Sequence, residues 1–304
     1  MRKKIPSAVA LVVAYNPGSG FRDRCLETLR QFGSVVIIDN GSEQAIGRDV
    51  SLLAATSGIH VISNKVNMGL GFALNQGIRY AIEQGYDWVC TLDHDSRLSP
   101  NFARVMFDAI EGAKRAQVPL AFLSPVYVDE KSGIRTAYGS RSATVAGCMV
   151  ADVTITSGNL VPVSTFINAG LFDADLFIDY LDYDFSLRCR RRGLFILEVA
   201  EAILLHNLGD SEPRTLLGKT FFVTHHSALR RYYITRNRIV VFARHCSYAP
   251  GMTVREATRI GLDFLKVVCF ESDKKNKLQA MVDGFVDAVK GGRGPRPAKK
   301  EAIS

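Results

Sequence analysis

Runs of apolar, mostly β-branched residues alternate with segments of helical periodicity through the first hundred residues. The apolar runs are AVALVVAY at 8–15, SVVIID at 34–39, GIHVIS at 58–63 and DWVCTLD at 87–93. The segment after the first run places Cys25, Leu29 and Phe32 on one side of a helix and ends at Gly33, a common helix stop. The alternation predicts an α/β domain with a mainly parallel sheet flanked by helices.

The later part of the chain has a looser pattern and then becomes helical. Helices are predicted at 101–116, 181–193 and 227–245, strands and turns at 120–163, and a strand pair at 194–206. From 251 onward the pattern indicates two helices followed by the basic tail KGGRGPRPAKK. We therefore expect a main domain at 1–245 and a C-terminal helical, basic extension at 246–304.

The composition is that of an ordinary folded protein, with 47% hydrophobic and 22% charged residues in a chain of 304. No apolar run reaches the roughly 18 residues that a membrane-spanning helix needs. The short apolar run behind the basic N-terminus has no small-residue cleavage site, so we interpret it as the first strand. The six cysteines are scattered without a CxxC pair, which favours neither disulfides nor zinc and fits a cytoplasmic protein.

The positive charge favours anionic partners. The net charge is +8, and residues 251–304 contain 11 Lys/Arg and 7 Asp/Glu, a net +4. Such a surface suits nucleic acid, an anionic membrane or a phosphorylated substrate. No nucleic-acid motif or array of base-stacking aromatics is present, so we expect no nucleic-acid partner. The tail has two interpretations: attachment to anionic lipid at the membrane surface, or solubility and homo-oligomer formation.

Polar clusters follow three of the predicted strands. They are Ala14-Tyr15-Asn16, Asp39-Asn40-Gly41-Ser42 and Asp93-His94-Asp95. In parallel sheets, ligands bind beyond the carboxyl ends of the strands, so three successive clusters indicate one shared site. Its ligand would contact Ala14, Tyr15 and Asn16.

The carboxylates of these clusters each have two interpretations. Asp93 and Asp95 suit a hard divalent cation such as Mg²⁺ or Mn²⁺, or they cap a turn and start the next loop. Asp39 accepts a hydrogen bond from a nucleobase or ribose, or forms an Asx turn in the turn sequence Asp-Asn-Gly-Ser. His94 has a weaker claim, because strand alternation points it away from both neighbouring aspartates.

The stretch NMGLGFALNQG at 67–77 surrounds a predicted helix start. Its glycines allow backbone amides to approach a phosphate, or they serve close packing of helix on sheet. It is not the dinucleotide fingerprint, because Leu74 stands where that motif needs glycine. Asn67, Gly69 and Asn75 are candidate contacts to a nucleotide.

Three further positions carry candidate chemistry. Asp182 lies near a helix start, where an acid either compensates the helix dipole or serves as a general base. His206 ends an apolar run and is either a hydrogen-bonded core residue or a metal ligand. Arg236 and Arg238 either add positive charge near a diphosphate or belong to a solvated basic face.

Taken together, these motifs resemble the family 2 glycosyltransferases with a GT-A fold, and most closely the bacterial rhamnosyltransferases that use dTDP-L-rhamnose. The matching stretches are VVAYNP at 12–17, VVIIDNGS at 35–42, NMGLGFALNQGI at 67–78, TLDHDS at 91–96, TSGNLV at 156–161, NAGLFDADLFIDYLDYDFSLRCRRRG at 168–193, LLHNLGD at 204–210 and RRYYITRNRIVV at 230–241. They cover about 230 residues in the family's order. The family's strand-end motif usually reads Asp-Gln-Asp, and His94 replaces its middle residue.

The resemblance implies a role for each matched residue. Asp39 holds the base and Asp93 faces the ribose or the outer shell of the metal. Asp95 and His206 bind Mg²⁺ or Mn²⁺ directly. Asp182 is the general base, in a pattern whose second acid is Asp184.

The resemblance also implies an activity. The catalytic domain at 1–245 is expected to transfer L-rhamnose from dTDP-L-rhamnose, with inversion, to a hydroxyl of a lipid-linked cell-surface polysaccharide such as O-antigen. UDP-galactofuranose or a UDP-hexose remains an alternative donor, because no residue selects the methyl group of rhamnose. A haloacid-dehalogenase-like phosphohydrolase and a non-catalytic sugar-nucleotide scaffold are the other classes. A phosphohydrolase of that kind needs its Asp-x-Asp near the N-terminus. A non-catalytic scaffold would not need the set Asp93, Asp95, Asp182 and His206.

Overall fold

The computed structural model describes residues 7–43, 47–130, 133–206, 211–216 and 219–296. The chain divides into two compact units. The first, which we call the sheet unit, comprises Met1–Phe172 and Asp182–Leu208. The second, the helical unit, comprises Asp173–Leu181 and Gly209–Ser304.

The sheet unit consists of a large mixed sheet with helices. Its strands are β1 (Ala8–Ala14), β2 (Val35–Asp39), β3 (Ile59–Ser63), β4 (Trp88–Asp93), β5 (Arg97–Leu98), β6 (Leu120–Asp129), β7 (Arg135–Thr136), β8 (Gly139–Val145), β9 (Cys148–Ala151), β10 (Leu160–Pro162) and β11 (Phe195–His206). Its helices are α1 (Phe21–Phe32), α2 (Gly47–Ala54), α3 (Leu70–Glu83), α4 (Phe102–Arg115), α5 (Val163–Ala169) and α6 (Leu181–Arg191), whose first residue is counted with the helical unit. The predicted α/β class with a mainly parallel sheet is confirmed.

The first four long strands form the parallel half of the sheet, in the order β3-β2-β1-β4. The sheet continues through β10-β6-β11-β9-β8, with β10 antiparallel to its neighbours and β6 parallel to β11. In the register, Ala14 pairs with Asp39, and Val13 pairs with Asp93. The predicted polar clusters therefore lie at one edge of the sheet.

Apolar side chains fill the sheet unit on both faces of its parallel strands. All seven residues of β1 are buried, as the continuous apolar run predicts. Helix α3 packs closely, because a Cβ at Gly77 would lie 2.1 Å from Leu11 Cδ1. Packing therefore explains this glycine of the NMGLGFALNQG stretch.

The helical unit is built around one long helix, α7 (Ala228–His245). Its other elements are the hairpin β12 (Ser211–Leu216) and β13 (Lys219–Thr224), and the helices α8 (Pro250–Phe270) and α9 (Lys274–Val289). The inserted segment Asp173–Leu181 joins this unit by stacking Phe177 on Tyr233, with ring centroids 4.9 Å apart.

Charged side chains are also buried in the helical unit. Arg231 and Lys277 both pair with Glu271, and all three side chains are at most 5% exposed. Arg238 pairs with Glu256 and Asp263. Paired burial of this kind avoids the large cost of an isolated buried charge.

The structure differs from the expectations in three places. Residues 195–206 form one strand rather than a strand pair, with a register shift between Val199 and Ile203 that makes the segment look interrupted. The division between units follows Leu208, so α7 groups with the C-terminal helices instead of with residues 1–245. Helices α2 and α5 and the β12–β13 hairpin were not predicted. Across the described residues, no helix is long and apolar enough to cross a membrane.

Candidate active site at the strand ends

The ends of β1 and β2 are tied together by their polar residues. The Asn16 backbone N–H donates to Ser42 Oγ at 2.9 Å, and Asn16 Oδ1 accepts from the Glu43 N–H at 2.9 Å. Asn16 has a positive φ of 45°, which asparagine tolerates better than most residues. Ala14 is buried at the strand end, while the Tyr15 side chain is 45% exposed and accessible to a ligand.

The Asp39 side chain holds the turn at the end of β2. Its Oδ1 accepts from the Ser42 backbone N–H, three residues on, at 3.0 Å, whereas an Asx turn is closed by the N–H two residues on; the side chain is half-buried. Gly41 follows with φ 82°, and a Cβ there would lie 2.3 Å from the Val66 carbonyl carbon. The nucleotide role of Asp39 stays a prediction.

A network of side-chain amides supports the loop between β3 and α3. Asn40 is buried, and its Nδ2 donates to Asn67 Oδ1 at 3.0 Å. Asn40 Oδ1 accepts from Asn64 Nδ2 at 3.0 Å, and Asn64 and Gln76 exchange two hydrogen bonds. The network fixes the backbone of the loop that leads into α3.

The candidate residues in this loop have contacts within the protein. The Gly69 N–H donates to Asn67 Oδ1 at 2.9 Å, so it is already engaged. Asn75 is buried, and its amide exchanges hydrogen bonds of 2.9 and 3.0 Å with the Phe172 backbone. The structure thus gives Asn75 a structural role that the sequence did not indicate.

The turn after β4 is held from two sides. The Asp93 N–H donates to Ser157 Oγ at 3.0 Å, and Ser96 Oγ lies 2.8 Å from the same oxygen. Arg24 Nε donates to the His94 carbonyl at 2.8 Å. Asp93, His94 and Asp95 are all half-buried, so their side chains reach the surface at the carboxyl end of the sheet.

Tyr127 is hydrogen-bonded to this turn, and its hydroxyl interacts electrostatically with Asp182. Its hydroxyl donates to the Ser157 carbonyl at 3.0 Å, on the residue whose Oγ holds Asp93. Burial raises the pKa of Tyr127 well above its ordinary value, and the Asp182 carboxylate contributes in the same direction. The pKa of Tyr138 is also raised by burial, with Tyr183, Asp182 and Glu198 adding to the shift. The Asp182 carboxylate therefore acts electrostatically on both tyrosine hydroxyls.

Aromatic packing and one ion pair fix α6, which carries Asp182 in its first turn. Phe185 stacks on Phe166 and Phe172, with centroid distances of 5.3 and 4.8 Å. Asp184 is fully buried and pairs with Arg188 at 2.8 Å. Arg188 also donates to the Leu171 carbonyl at 2.8 Å, which anchors the preceding loop. Asp184 therefore positions the helix, while Asp182 remains half-buried at its start.

Glu198 of β11 is a buried carboxyl beside these tyrosines. Its Oε2 accepts from the Tyr138 N–H at 2.6 Å and from the Gly139 N–H at 3.2 Å. Its Oε1 has no hydrogen-bond partner in the described part of the chain. Burial raises its pKa, and the two backbone N–H groups only partly offset this. Glu198 thus holds the backbone that carries the Tyr138 ring.

Asp93 and Asp95 are the residues that fit a divalent metal. Two half-exposed carboxylates at a strand end offer the oxygen ligands that Mg²⁺ and Mn²⁺ prefer. Within the described residues, no group of three or more His, Cys, Asp or Glu is arranged as a metal site. The His206 backbone pairs with Asp129, but its side chain lies outside the described part, so its predicted role as a ligand stays open.

Arg236 and Arg238 require a correction. Neither belongs to a solvated basic face, since Arg236 is 1% and Arg238 8% exposed. Arg236 donates to the carbonyls of Gly294, Asp175 and Leu176, and it lies against the rings of Tyr232 and Tyr233. These contacts occupy the guanidinium within the helical unit, which is at odds with a contact to a diphosphate.

Comparison with known proteins agrees with this arrangement. Residues 10–132 match the family model described as "Glycosyl transferase family 2". The chain is 27% identical to the dTDP-rhamnosyl transferase RfbF of Shigella flexneri, over 93% of this chain and 97% of that protein. The enzyme class is therefore that of a glycosyltransferase, with the family 2 model matched over residues 10–132.

Solved structures show the fold of this glycosyltransferase. GalNAc-T7 with UDP, GalNAc and Mn²⁺ superposes with a TM-score of 0.59 at 15% identity, over 79% of this chain. This chain spans about half, 48%, of GalNAc-T7. The mannosyltransferase PcManGT from Pyrobaculum calidifontis, with GDP-Man and Mn²⁺, gives a TM-score of 0.58 at 12% identity, over 94% of this chain and 88% of that one. The expected GT-A fold is confirmed.

Several residues of this glycosyltransferase were missed from the sequence. Ser157 and Tyr127 hold the strand-end turn, and Glu198 holds Tyr138, whose hydroxyl interacts electrostatically with Asp182. The TSGN stretch at 156–159 was one available signal, because such a turn beside a strand end supplies hydroxyl and backbone donors. Glu198 gave a second signal as a lone carboxyl inside the apolar run FILEVA.

Proposed function

We propose that this glycosyltransferase moves L-rhamnose from dTDP-L-rhamnose to a hydroxyl of a saccharide acceptor, with inversion at the anomeric carbon. The likeness to a dTDP-rhamnosyl transferase along almost the whole of both chains carries this proposal. The strand-end geometry supports it, because carboxylates follow β4 while a separate carboxylate begins α6.

In the proposed reaction, the acceptor hydroxyl gives its proton to Asp182. Its oxygen bonds to the anomeric carbon as the bond from that carbon to the diphosphate oxygen breaks, and dTDP leaves. One displacement inverts the anomeric carbon and needs no protein nucleophile. Asp182 lies in the first turn of α6, where the helix dipole interacts favourably with a negatively charged side chain.

Asp95, with Asp93 beside it, would hold the divalent cation, and His206 is proposed as a further ligand. When bound, such a cation neutralises the charge that develops on the departing diphosphate. Tyr15, Asn16 and Asp39 are proposed to line the nucleotide. Asn67 and Gly69 shape the neighbouring loop through the contacts described above.

We also propose a lipid-linked acceptor in cell-surface polysaccharide synthesis and a cytoplasmic, peripheral location at the membrane. The positive charge of residues 251–304 supports this part of the proposal. The residues after 296 lie outside the described part, so the structure adds nothing on the end of the tail.

Calorimetric titration of dTDP, UDP and GDP, each with and without Mn²⁺ or Mg²⁺, tests the donor. We expect dTDP to bind most tightly and its affinity to rise with metal. Preference for UDP or GDP would keep the enzyme class and overturn the donor. The variant Asp95→Asn should lose the metal-dependent gain but keep metal-free binding, with Asp152→Asn as the control because Asp152 is exposed and pairs with Arg190.

A further inference from the structure

Helices α8 and α9 of the helical unit expose large apolar side chains. On α8 these are Val254, Leu262, Phe264, Leu265 and Val268, which are 39 to 65% exposed. On α9 they are Val282, Phe285, Val286 and Val289, which are 37 to 70% exposed. Scattered apolar residues on a surface need no explanation, but a concentration of them on two successive helices does.

The exposed residues of α8 form one face. Val254 and Leu265 are eleven residues, or three helical turns, apart and therefore lie on the same side of α8. The buried Glu256 and Val267 have the same spacing and share another side. The two pairs are offset by two residues, or about 200° around the helix, so they lie on opposite sides. The outer side of α8 is therefore apolar, although a surface helix normally directs its apolar side inward.

Helix α9 repeats this arrangement. Val282, Phe285, Val286 and Val289 have the i, i+3, i+4, i+7 spacing of one face. Ala280 and Gly284 are buried, each two residues before an exposed valine, so the apolar face is again on the outside. We call these two surfaces together the apolar face.

Acidic side chains near the apolar face are mostly paired within the helical unit, whereas several basic side chains are exposed. Most carboxylates of this region are engaged with side chains of the helical unit: Glu256 with Arg238, Asp263 with Arg238, Glu271 with Arg231 and Lys277, Asp283 with Arg296, and Asp287 with Tyr232. Asp273 is exposed and accepts from Asn276. Exposed basic residues are Arg255, Lys274, Lys275, Lys290 and Arg293. The surface that surrounds the apolar face is thus predominantly positive.

We propose that the apolar face docks in the plane of an anionic phospholipid bilayer, with the phenylalanine, leucine and valine side chains in the acyl boundary and the basic residues at the phosphate groups. An apolar side bordered by lysine and arginine is the pattern of interfacial helices. A second copy of this chain is the less favoured occupant, because pairing two such faces brings their positive borders together. The proposal deepens the lipid-linked acceptor proposed above and rests on it for its biological meaning.

Vesicle flotation of the full chain tests the docking without any turnover, so its result is independent of the donor and the acceptor. We expect binding to vesicles of phosphatidylcholine mixed with phosphatidylglycerol, weaker binding to phosphatidylcholine alone, and a loss of binding at high salt. Leu265→Gln and Phe285→Gln should each weaken the partition coefficient about tenfold or more, since each removes one large apolar side chain from the bilayer.

Matched controls separate docking from folding. Ile167→Gln alters an equally exposed apolar residue of α5 and should leave flotation unchanged. Lys274→Gln with Lys275→Gln should weaken binding to the anionic vesicles only, by a few-fold for each charge. Circular dichroism should be the same for all variants, because each altered side chain is exposed.

Two outcomes would overturn the proposal. One is flotation that does not change in Leu265→Gln and Phe285→Gln. The other is no flotation; a concentration-dependent dimer in sedimentation velocity that these two variants abolish would then identify the apolar face as a contact between copies. Metal-dependent dTDP binding without flotation would leave the proposed donor intact and remove only the membrane docking.

Discussion

The two units of this glycosyltransferase distribute apolar and charged groups in opposite ways. The sheet unit buries continuous apolar strands and leaves Asp93, Asp95 and Asp182 half-buried at its edge. The helical unit buries arginines, a lysine and glutamates in ion pairs and leaves apolar side chains exposed on α8 and α9. Buried side chains therefore serve structure in both units. The exposed groups indicate different partners: a polar, charged ligand for the sheet unit and an apolar environment for the helical unit.

The contrast also separates two kinds of buried carboxyl. Glu271 pairs with two cationic side chains, Arg231 and Lys277. Glu198 has two backbone N–H donors and a raised pKa, with no basic side chain paired to it in the described residues. Matched substitutions in the two units should consequently have different effects.

The largest effect is expected at a half-buried carboxylate of the sheet unit. Asp182→Asn should lower turnover by about 10²–10⁴-fold, because the amide cannot accept the acceptor's proton. The free energy of unfolding should change by only about 0.5 kcal/mol. Initial rates of transfer measure the first change and urea unfolding the second, with calorimetric dTDP binding as a folding control. Turnover equal to that of the wild type would remove Asp182 from the role of base.

A strong effect on stability is expected in the helical unit. Glu271→Gln should lower the free energy of unfolding by about 3–5 kcal/mol, because it leaves Arg231 and Lys277 buried without their anionic partner. Glu27→Gln, in an exposed pair with Arg30, is the control and should cost no more than about 0.5 kcal/mol. Urea unfolding gives both values. A small loss in Glu271→Gln would contradict the view that charges organise the interior of this unit.

The smallest effect is expected for the same substitution in the sheet unit. Because the pKa of Glu198 is raised in the folded state, the folded protein keeps a proton that the unfolded chain releases, and stability falls as pH rises from about 4.5 through the folded pKa. Glu198→Gln cannot ionise, so its stability relative to the wild type should increase over this interval. Unfolding measured from about pH 4 to about pH 8 tests this. Parallel curves for the two proteins would show that Glu198 is ionised in the fold.

The sequence predicted the sheet unit well because its signals are local. Apolar runs and the helices between them define β1 to β4, and the polar residues that follow each strand are placed together by parallel pairing. The GT-A fold and the likeness to family 2 glycosyltransferases followed from the same motifs. The sequence predicts a strand pair at 194–206, but the segment is one strand, because its pairing with β6 continues beyond a register shift that only the neighbouring strand reveals.

Long-range contacts explain what the sequence did not predict. The sequence indicates only that Arg236 is a charged residue on a helix. Its partners are the carbonyls of residues 175, 176 and 294, which no local pattern reveals. Asn75 lies within a glycine-rich motif but bonds to Phe172, 97 residues away. The sequence did not reveal the apolar face. Amphipathic periodicity shows that a helix has two different sides, but it does not show which side packs inward.

The amide network of Asn40, Asn64, Asn67 and Gln76 has a consequence for kinetic experiments. None of these side chains titrates between acid and alkaline pH, and none carries a charge that salt would screen. The loop that leads into α3 should therefore keep its shape across the buffers used for pH–rate profiles. An inflection in such a profile then points to titratable groups at the strand ends or on the substrate, not to rearrangement of this loop.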